Sequence, residues 1–216
     1  MVAVLSPPVS HEQRFLFRDA DWSMYEGLLD LLGERPIRLT YDRGVLEIMT
    51  LSFRHEKHSE MLGKFLDVLA DVCDVDKQSG GSTTFRRKDL DRGLEPDKCF
   101  YLENAELVRA KDEIDLNVDP PPDLAIEIDI SRSSLNRLGI YAAIKVPEVW
   151  RYDGDRLTIH RLTAEGEYET HESSRHFPNL PIAGLADFLK LVGAVSETQL
   201  LRQFREWVRQ QLGLQS

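Results

Sequence analysis

Only two cysteines, Cys73 and Cys99, occur in the chain. So few thiols exclude a disulfide-dense scaffold and a cysteine-rich zinc array; the pair reads as reduced small hydrophobes of an intracellular, cytoplasmic protein. Long apolar runs are also missing, since Leu28 to Leu32 and Leu185 to Leu191 are broken well before membrane-spanning length. No basic segment leads into an apolar stretch with a small-residue cleavage pattern, so neither a secretory leader nor a membrane partner is expected. Positive charge is in deficit: 27 Lys and Arg stand against 37 Asp and Glu, a formal net charge of -10. That balance disfavours broad, nonspecific attraction to nucleic acid. It leaves a nuclease open, because a carboxylate site for a divalent metal adds to the acidic total while a local basic rim sits beside it. Several catalytic signatures are absent as well. Gly80-Gly81-Ser82-Thr83-Thr84 lacks the spacing and the Lys of a phosphate-binding P-loop, and His55-Glu56-Lys57-His58 lacks the spacing of a zinc protease helix. Ser133 and Ser134 have no convergent base beside them and read as caps of a following helix.

The 216 residues suffice for one sizeable core, and 42% hydrophobic with 30% charged residues is an ordinary globular balance. Residues 1–13 read as a loose arm and 14–192 as one domain, with an amphipathic helical segment over 193–216. Asp21 or Ser23 opens a helix through Tyr25, Leu28, Leu29 and Leu32, ended by Gly33. Ile37 to Tyr41 and Val45 to Met49 alternate around Asp42-Arg43-Gly44 and predict a β-hairpin. A long helix follows from about Arg54 to Cys73, with His55, His58, Leu62, Phe65, Leu66 and Leu69 on the face toward a sheet. Asp89 to Gly93 reads as a turn, and residues 102–121 as an excursion. After it come a helix around Leu138 and Tyr141, a second hairpin around Asp153-Gly154-Asp155, and terminal helices beginning near residues 181 and 196. This order predicts an α/β domain around a mixed central β-sheet flanked by helices. The last helix could dock on its own domain or on a second chain, and its spacing fits both.

Pro122 to Ile130 organises the rest. Leu124, Ile126, Ile128 and Ile130 fall on one face of a strand, and Asp123, Ala125, Glu127 and Asp129 on the other. A strand this apolar is expected to be buried, yet buried carboxylates are unfavourable unless paired or bound to a cation. Glu127 and Asp129 lie about 6.6 Å apart along an ideal strand, within reach of one small centre, whereas Asp123 is about 13 Å from Glu127 and reads as a turn or cap. Asp97 opens another short strand and can add an oxygen if the two strands are neighbours. Carboxylate oxygens suit Mg²⁺, with Mn²⁺ as a substitute. The opposing reading makes Asp97 and Asp123 turn residues beside prolines and Glu127 half of an internal salt bridge. His55 is by default a structural histidine packed against the sheet, with a substrate-contacting or metal-adjacent role as the alternative. Arg137 can turn back toward Glu127 or toward a phosphate, and Arg86, Arg87 and Lys88 can form a basic rim.

The segments Arg38 to Met49, His55-Glu56, Gly81 to Arg87, Leu94 to Asp97, Pro122 to Ile128 and Tyr141 to Trp150 resemble the Uma2 family of the PD-(D/E)xK nuclease superfamily. The likeness extends over roughly residues 14–180 and implies a restriction-endonuclease-like core. It maps the first acidic strand position onto Asp97 and the second onto Glu127, with Glu47 and Glu56 as candidates for a supporting acid. The superfamily Lys is expected two residues after the second acid, where this chain has Asp129; relatives move it to the next helix, at the position of Arg137. Arginine keeps its proton at ordinary pH, so it can hold a phosphate but not act as a neutral base. The resemblance thus implies a metal-dependent endonuclease acting on DNA. In it Asp97, Glu127 and Asp129 hold Mg²⁺ for an attacking water, and Arg137 orients or neutralises the phosphate. The alternative is a weakened or inactive nuclease-fold protein that binds nucleic acid or protein, including as a homodimer.

Overall fold

The computed structural model describes residues 12–33, 35–130, 135–181 and 183–214. In chain order the elements are β1 (Gln13–Arg18), α1 (Trp22–Leu32), β2 (Ile37–Asp42), β3 (Val45–Thr50), α2 (Phe53–Cys73), β4 (Gln78–Gly81), β5 (Phe85–Arg87) and β6 (Arg92–Leu94). There follow β7 (Lys98–Tyr101), the single-turn α3 (Ala105–Val108), β8 (Leu124–Ile128), α4 (Arg137–Ala143), β9 (Glu148–Tyr152), β10 (Leu157–Leu162), β11 (Tyr168–His171), α5 (Ala183–Lys190) and α6 (Glu197–Gln211).

Side-chain caps set the helix starts. Asp21 accepts from the Met24 amide at 2.7 Å, Ser52 from the His55 amide at 3.1 Å and Ser196 from the Gln199 amide at 3.3 Å. Each satisfies one of the amides that a first helical turn leaves without an intrahelical partner. Between β2 and β3, Asp42 pairs with Val45, and both intervening residues, Arg43 and Gly44, have positive φ. That is the mirror-image turn whose twist matches paired strands.

The strands form two sheets. One is antiparallel with order β1-β3-β2-β6-β5; the other is mixed, with order β11-β10-β9-β8-β7-β4 and one parallel pair, β8 with β9. The fold is therefore α/β with a mixed central sheet flanked by helices, consistent with a restriction-endonuclease-like core. Helix α4 lies in the crossover that a parallel pair requires. Leu124, Ile126 and Ile128 of β8 join Leu62, Phe65, Leu66 and Leu69 of α2 in the main core, together with Leu200, Phe204 and Val208 of α6. On the opposite face, Ala125 packs with Ile140 and Tyr141 of α4 and Val149 of β9. A third cluster holds α1 against β2 through Tyr25, Leu39 and Tyr41. There Gly93 of β6 is a steric necessity, since a Cβ at that position would stand 2.4 Å from the Tyr25 hydroxyl.

The differences from expectation have simple causes. A strand occupies Gln13–Arg18, where the sequence reading began its first element only at residue 21. β1 is an edge strand whose Phe15, Leu16 and Phe17 are all exposed, so it lacks the one-sided burial that makes a strand readable. The turn expected at 89–93 contains β6, only three residues long and set in register by pairing with β2 and β5. Beside the expected mixed central sheet stands a second, antiparallel one, which the sequence reading did not separate. Helix α6 docks on its own domain, with Phe204 stacked on Phe65 at a centroid distance of 4.2 Å.

Candidate active site

β7 and β8 are antiparallel neighbours, with Lys98 opposite Ile126 and Cys99 opposite Ala125. Asp97 immediately precedes β7 and so lies beside the stretch of β8 that carries Glu127. Both acids are nearly buried, at 4% and 7% exposure. The Asp97 amide donates to the Ile126 carbonyl at 3.2 Å, and its Oδ2 accepts from the Ile128 amide at 2.7 Å, so the side chain completes the ladder where β7 begins. Its Oδ1 accepts from His55 Nε2 at 2.8 Å, while His55 Nδ1 donates to Glu12 Oε2 at 3.0 Å. Glu127 Oε1 accepts from Arg137 Nη2 at 2.7 Å and from the Tyr141 hydroxyl. Arg137 also reaches Thr40 Oγ1 on β2 and, at 2.7 Å, the Glu95 carbonyl. The guanidinium is thereby a strut between the two sheets.

Charge accounts for these pairings. Burial alone would lower the His55 imidazole, but hydrogen bonds and charge from Asp97 and Glu12 raise it to about 10. Burial would raise the Asp97 carboxyl, and the hydrogen bonds from His55 and the Ile128 amide, with the nearby Arg137 charge, hold it below the usual carboxylate range. For Glu127, burial pushes the carboxyl up against the pull of Arg137, and the neighbouring Asp97 charge adds to the rise. Arg137 stays charged: burial works against it, and Glu127 more than compensates.

Asp129 follows the end of β8 and is 5% exposed. Arg151 of β9 donates to its Oδ2 through Nε, at 3.0 Å, and through Nη2, while Arg14 Nη2 stands 3.4 Å from Oδ1. Glu47, on β3, pairs with the same Arg14 at 3.0 Å. Glu56 lies on the exposed side of the first turn of α2. His58 turns away from His55: its Nδ1 donates to the Arg54 carbonyl at 2.7 Å and its ring stacks on Tyr152. Asp123 is a cap, with its carboxylate accepting from the Leu102 and Asn104 amides at 2.7 and 2.9 Å. Arg87 of the basic segment is turned to Asp89, whereas Arg86 and Lys88 are exposed. Ser133 and Ser134 lie outside the described residues.

His55 joins Asp97 to Glu12, and Arg14 extends that group to Glu47 and Asp129, while Glu127 is held with Arg137 and Tyr141 in a second hydrogen-bonded group. Four participants escaped the sequence reading. Tyr141 was legible as the i+4 neighbour of Arg137 on one helix face. Glu12, Arg14 and Arg151 carry no local signal, because strand pairing alone delivers them. Glu127 and Arg151 are register partners in the parallel β8–β9 pair. Beside Glu127 lies a cavity of about 70 Å³ whose walls include Asp129, Asn136, Arg137, Tyr141 and Arg151. That is several times the space one water requires.

Among the described residues, no group of three or more His, Cys, Asp or Glu side chains is arranged to share one metal ion. Magnesium does not demand such a group, since one or two carboxylates with water and substrate phosphate complete its shell. Asp97 and Glu127 fit that lesser requirement. Glu127 Oε2 accepts no hydrogen bond among the described residues, and each Asp97 oxygen accepts one of the two it can take. Asp129 is engaged by two arginines and fits a metal less well.

A mixed central sheet flanked by helices is consistent with a restriction-endonuclease-like core. The chain belongs to the Uma2 family, within the PD-(D/E)xK nuclease superfamily: the family's model, described as "Putative restriction endonuclease", matches residues 22–190 of the 216. No curated protein matches it.

Proposed function

We propose that this protein is a divalent-metal-dependent endonuclease that hydrolyses phosphodiester bonds in DNA. The carrying observation is that two buried acids, Asp97 and Glu127, act on one another's charge, and that Glu127, with one oxygen unengaged among the described residues, lines a cavity. These two acids would hold the ion. A bound Mg²⁺ or Mn²⁺ supplies charge neutralisation at the phosphodiester and eases deprotonation of water. Arg137 and Tyr141 fix Oε1 of Glu127, so Oε2 would be the oxygen available to an ion. His55 fixes Asp97 from the opposite side, and Glu12 fixes His55.

Cleavage of single- and double-stranded DNA in Mg²⁺ or Mn²⁺, compared with a Glu127→Ala variant, tests the proposal. The expected result is turnover in the parent chain and a loss of at least about a hundredfold in the variant, equivalent to about 2.7 kcal/mol of activation free energy. Equal activity in both rejects this site. One observation favours a second reading, a nuclease-fold protein that binds without cleaving. Arg137 stands where the family pattern has Lys, and both of its Nη groups are engaged by protein. If the parent chain is inactive and Arg137→Lys creates cleavage, the second reading is correct.

A further inference from the structure

Among the cations around Glu127, the two arginines of the cavity wall differ in what they have left to give. Arg137 is 11% exposed in its side chain, and its Nη groups are committed to Thr40, Glu95 and Glu127. Arg151 is 41% exposed, uses only Nε and Nη2, and directs both at a single oxygen of Asp129. Its Nη1 donates to nothing among the described residues. Strand pairing fixes where that amino group stands, because Arg151 and Glu127 are register partners on β9 and β8 and side chains of paired residues rise from the same face of a sheet. Arg151 and Glu127 therefore line the same cavity.

A solvent-exposed ion pair would be worth too little to explain the arrangement by itself. Asp129, however, is nearly buried and bracketed by two arginines, Arg14 at one oxygen and Arg151 at the other. Arg14 is in turn shared with Glu12 and Glu47. The carboxylate thus clamps one side of the Arg151 guanidinium and leaves the other side facing outward. A planar guanidinium held in this way is suited to a phosphate oxygen.

We propose that Arg151 receives a backbone phosphate of the nucleic-acid strand entering the site, and that Asp129 is its positioning residue rather than a metal ligand. This rests on the reading of the site as one that meets a phosphodiester, but not on the chain's ability to cleave it. Phosphate contact then passes from Arg137, which the fold has consumed as a strut, to Arg151.

The test is equilibrium binding of a short fluorescein-labelled DNA duplex, followed by anisotropy at a fixed low Ca²⁺ concentration over a series of KCl concentrations. Arg151→Met keeps the aliphatic stem and removes the charge. It is expected to weaken binding about tenfold and to flatten the slope of log affinity against log salt by about 0.9, the loss of one phosphate contact. Arg151→Lys keeps the charge but not the clamped fork, and should restore the slope while leaving affinity several-fold below the parent. Asp129→Asn should weaken binding without changing the slope, because the arginine remains. A purely structural role would not separate slope from affinity in this way. Unchanged affinity and slope in Arg151→Met overturn the proposal, as does a parent chain that shows no binding. If Arg151→Met does not fold, parent-level affinity in Arg151→Lys overturns it instead. Cleavage lost in Glu127→Ala with binding indifferent to Arg151 sinks this inference alone. Binding that needs Arg151 without any cleavage sinks the endonuclease reading alone.

Discussion

Two glutamates stand on neighbouring strands of the central sheet, Glu127 on β8 opposite Arg151 and Glu148 on β9 opposite Leu124, and both are buried. Glu148 is fully enclosed. Its Oε1 accepts from the Trp150 indole and the Ser174 hydroxyl, each at 2.6 Å, and its Oε2 accepts from the Arg175 amide at 2.7 Å with Arg161 at 3.5 Å. Every oxygen is spent on holding β9 to the segment after β11. Glu127 keeps one oxygen unengaged beside open space. Burial of a carboxylate is therefore not what marks a site; uncommitted lone pairs on a fixed side chain are.

The comparison can be broken at its structural end first. Glu148→Ala should cost about 3–5 kcal/mol in urea unfolding, the usual penalty for deleting one partner of a buried charged network. A loss under about 1 kcal/mol would mean that the Glu148 cage contributes little to stability. Acidity sharpens the contrast next. Glu148 has no histidine among its described partners, whereas Asp97, the acid whose charge acts on Glu127, is bonded to His55, raised to about 10 by Asp97 and Glu12 against the lowering effect of burial. A base whose folded value exceeds its unfolded value, here about 6.5, contributes stability that is complete below the latter and lost as pH rises through the former. Urea midpoints of the metal-free protein should therefore fall between about pH 6.5 and 10, and the gap between the parent and His55→Gln should close over that window. A constant gap would remove His55 from the charged network. The smallest effect belongs to an ion pair outside either network. Arg205 with Asp71 joins α6 to α2 with both side chains about half exposed, and Asp71→Ala should cost under about 1 kcal/mol, falling further in high salt.

The apolar half of this architecture was readable and the ionic half only partly so. The alternation of Leu124, Ile126 and Ile128, the stripe of α2 and the caps Asp21, Ser52 and Ser196 are local patterns, and local patterns survive in one dimension. Asp97 and Glu127 were found because each stands on or beside a short strand with its own signature. Their closeness, and the arrival of Arg151 and Arg14, depend on strand order and register across long separations. Glu148 was passed over for the same reason: Ser174 and Arg175 lie 26 and 27 residues away along the chain. The Uma2 pattern added Arg137 as the residue standing in for a lysine, though not that its charge would be consumed by Thr40, Glu95 and Glu127.

Helix α6 lies wholly beyond the family-matched span, which closes at residue 190. Yet Phe204 covers Phe65, and Leu200 and Val208 are sealed from solvent in the same cluster. Truncation at the border of the homology would strip the roof from α2 and leave its leucines and phenylalanine wet. Such a fragment would precipitate and mimic an inactive enzyme, so any search for activity has to begin from a chain that retains this helix.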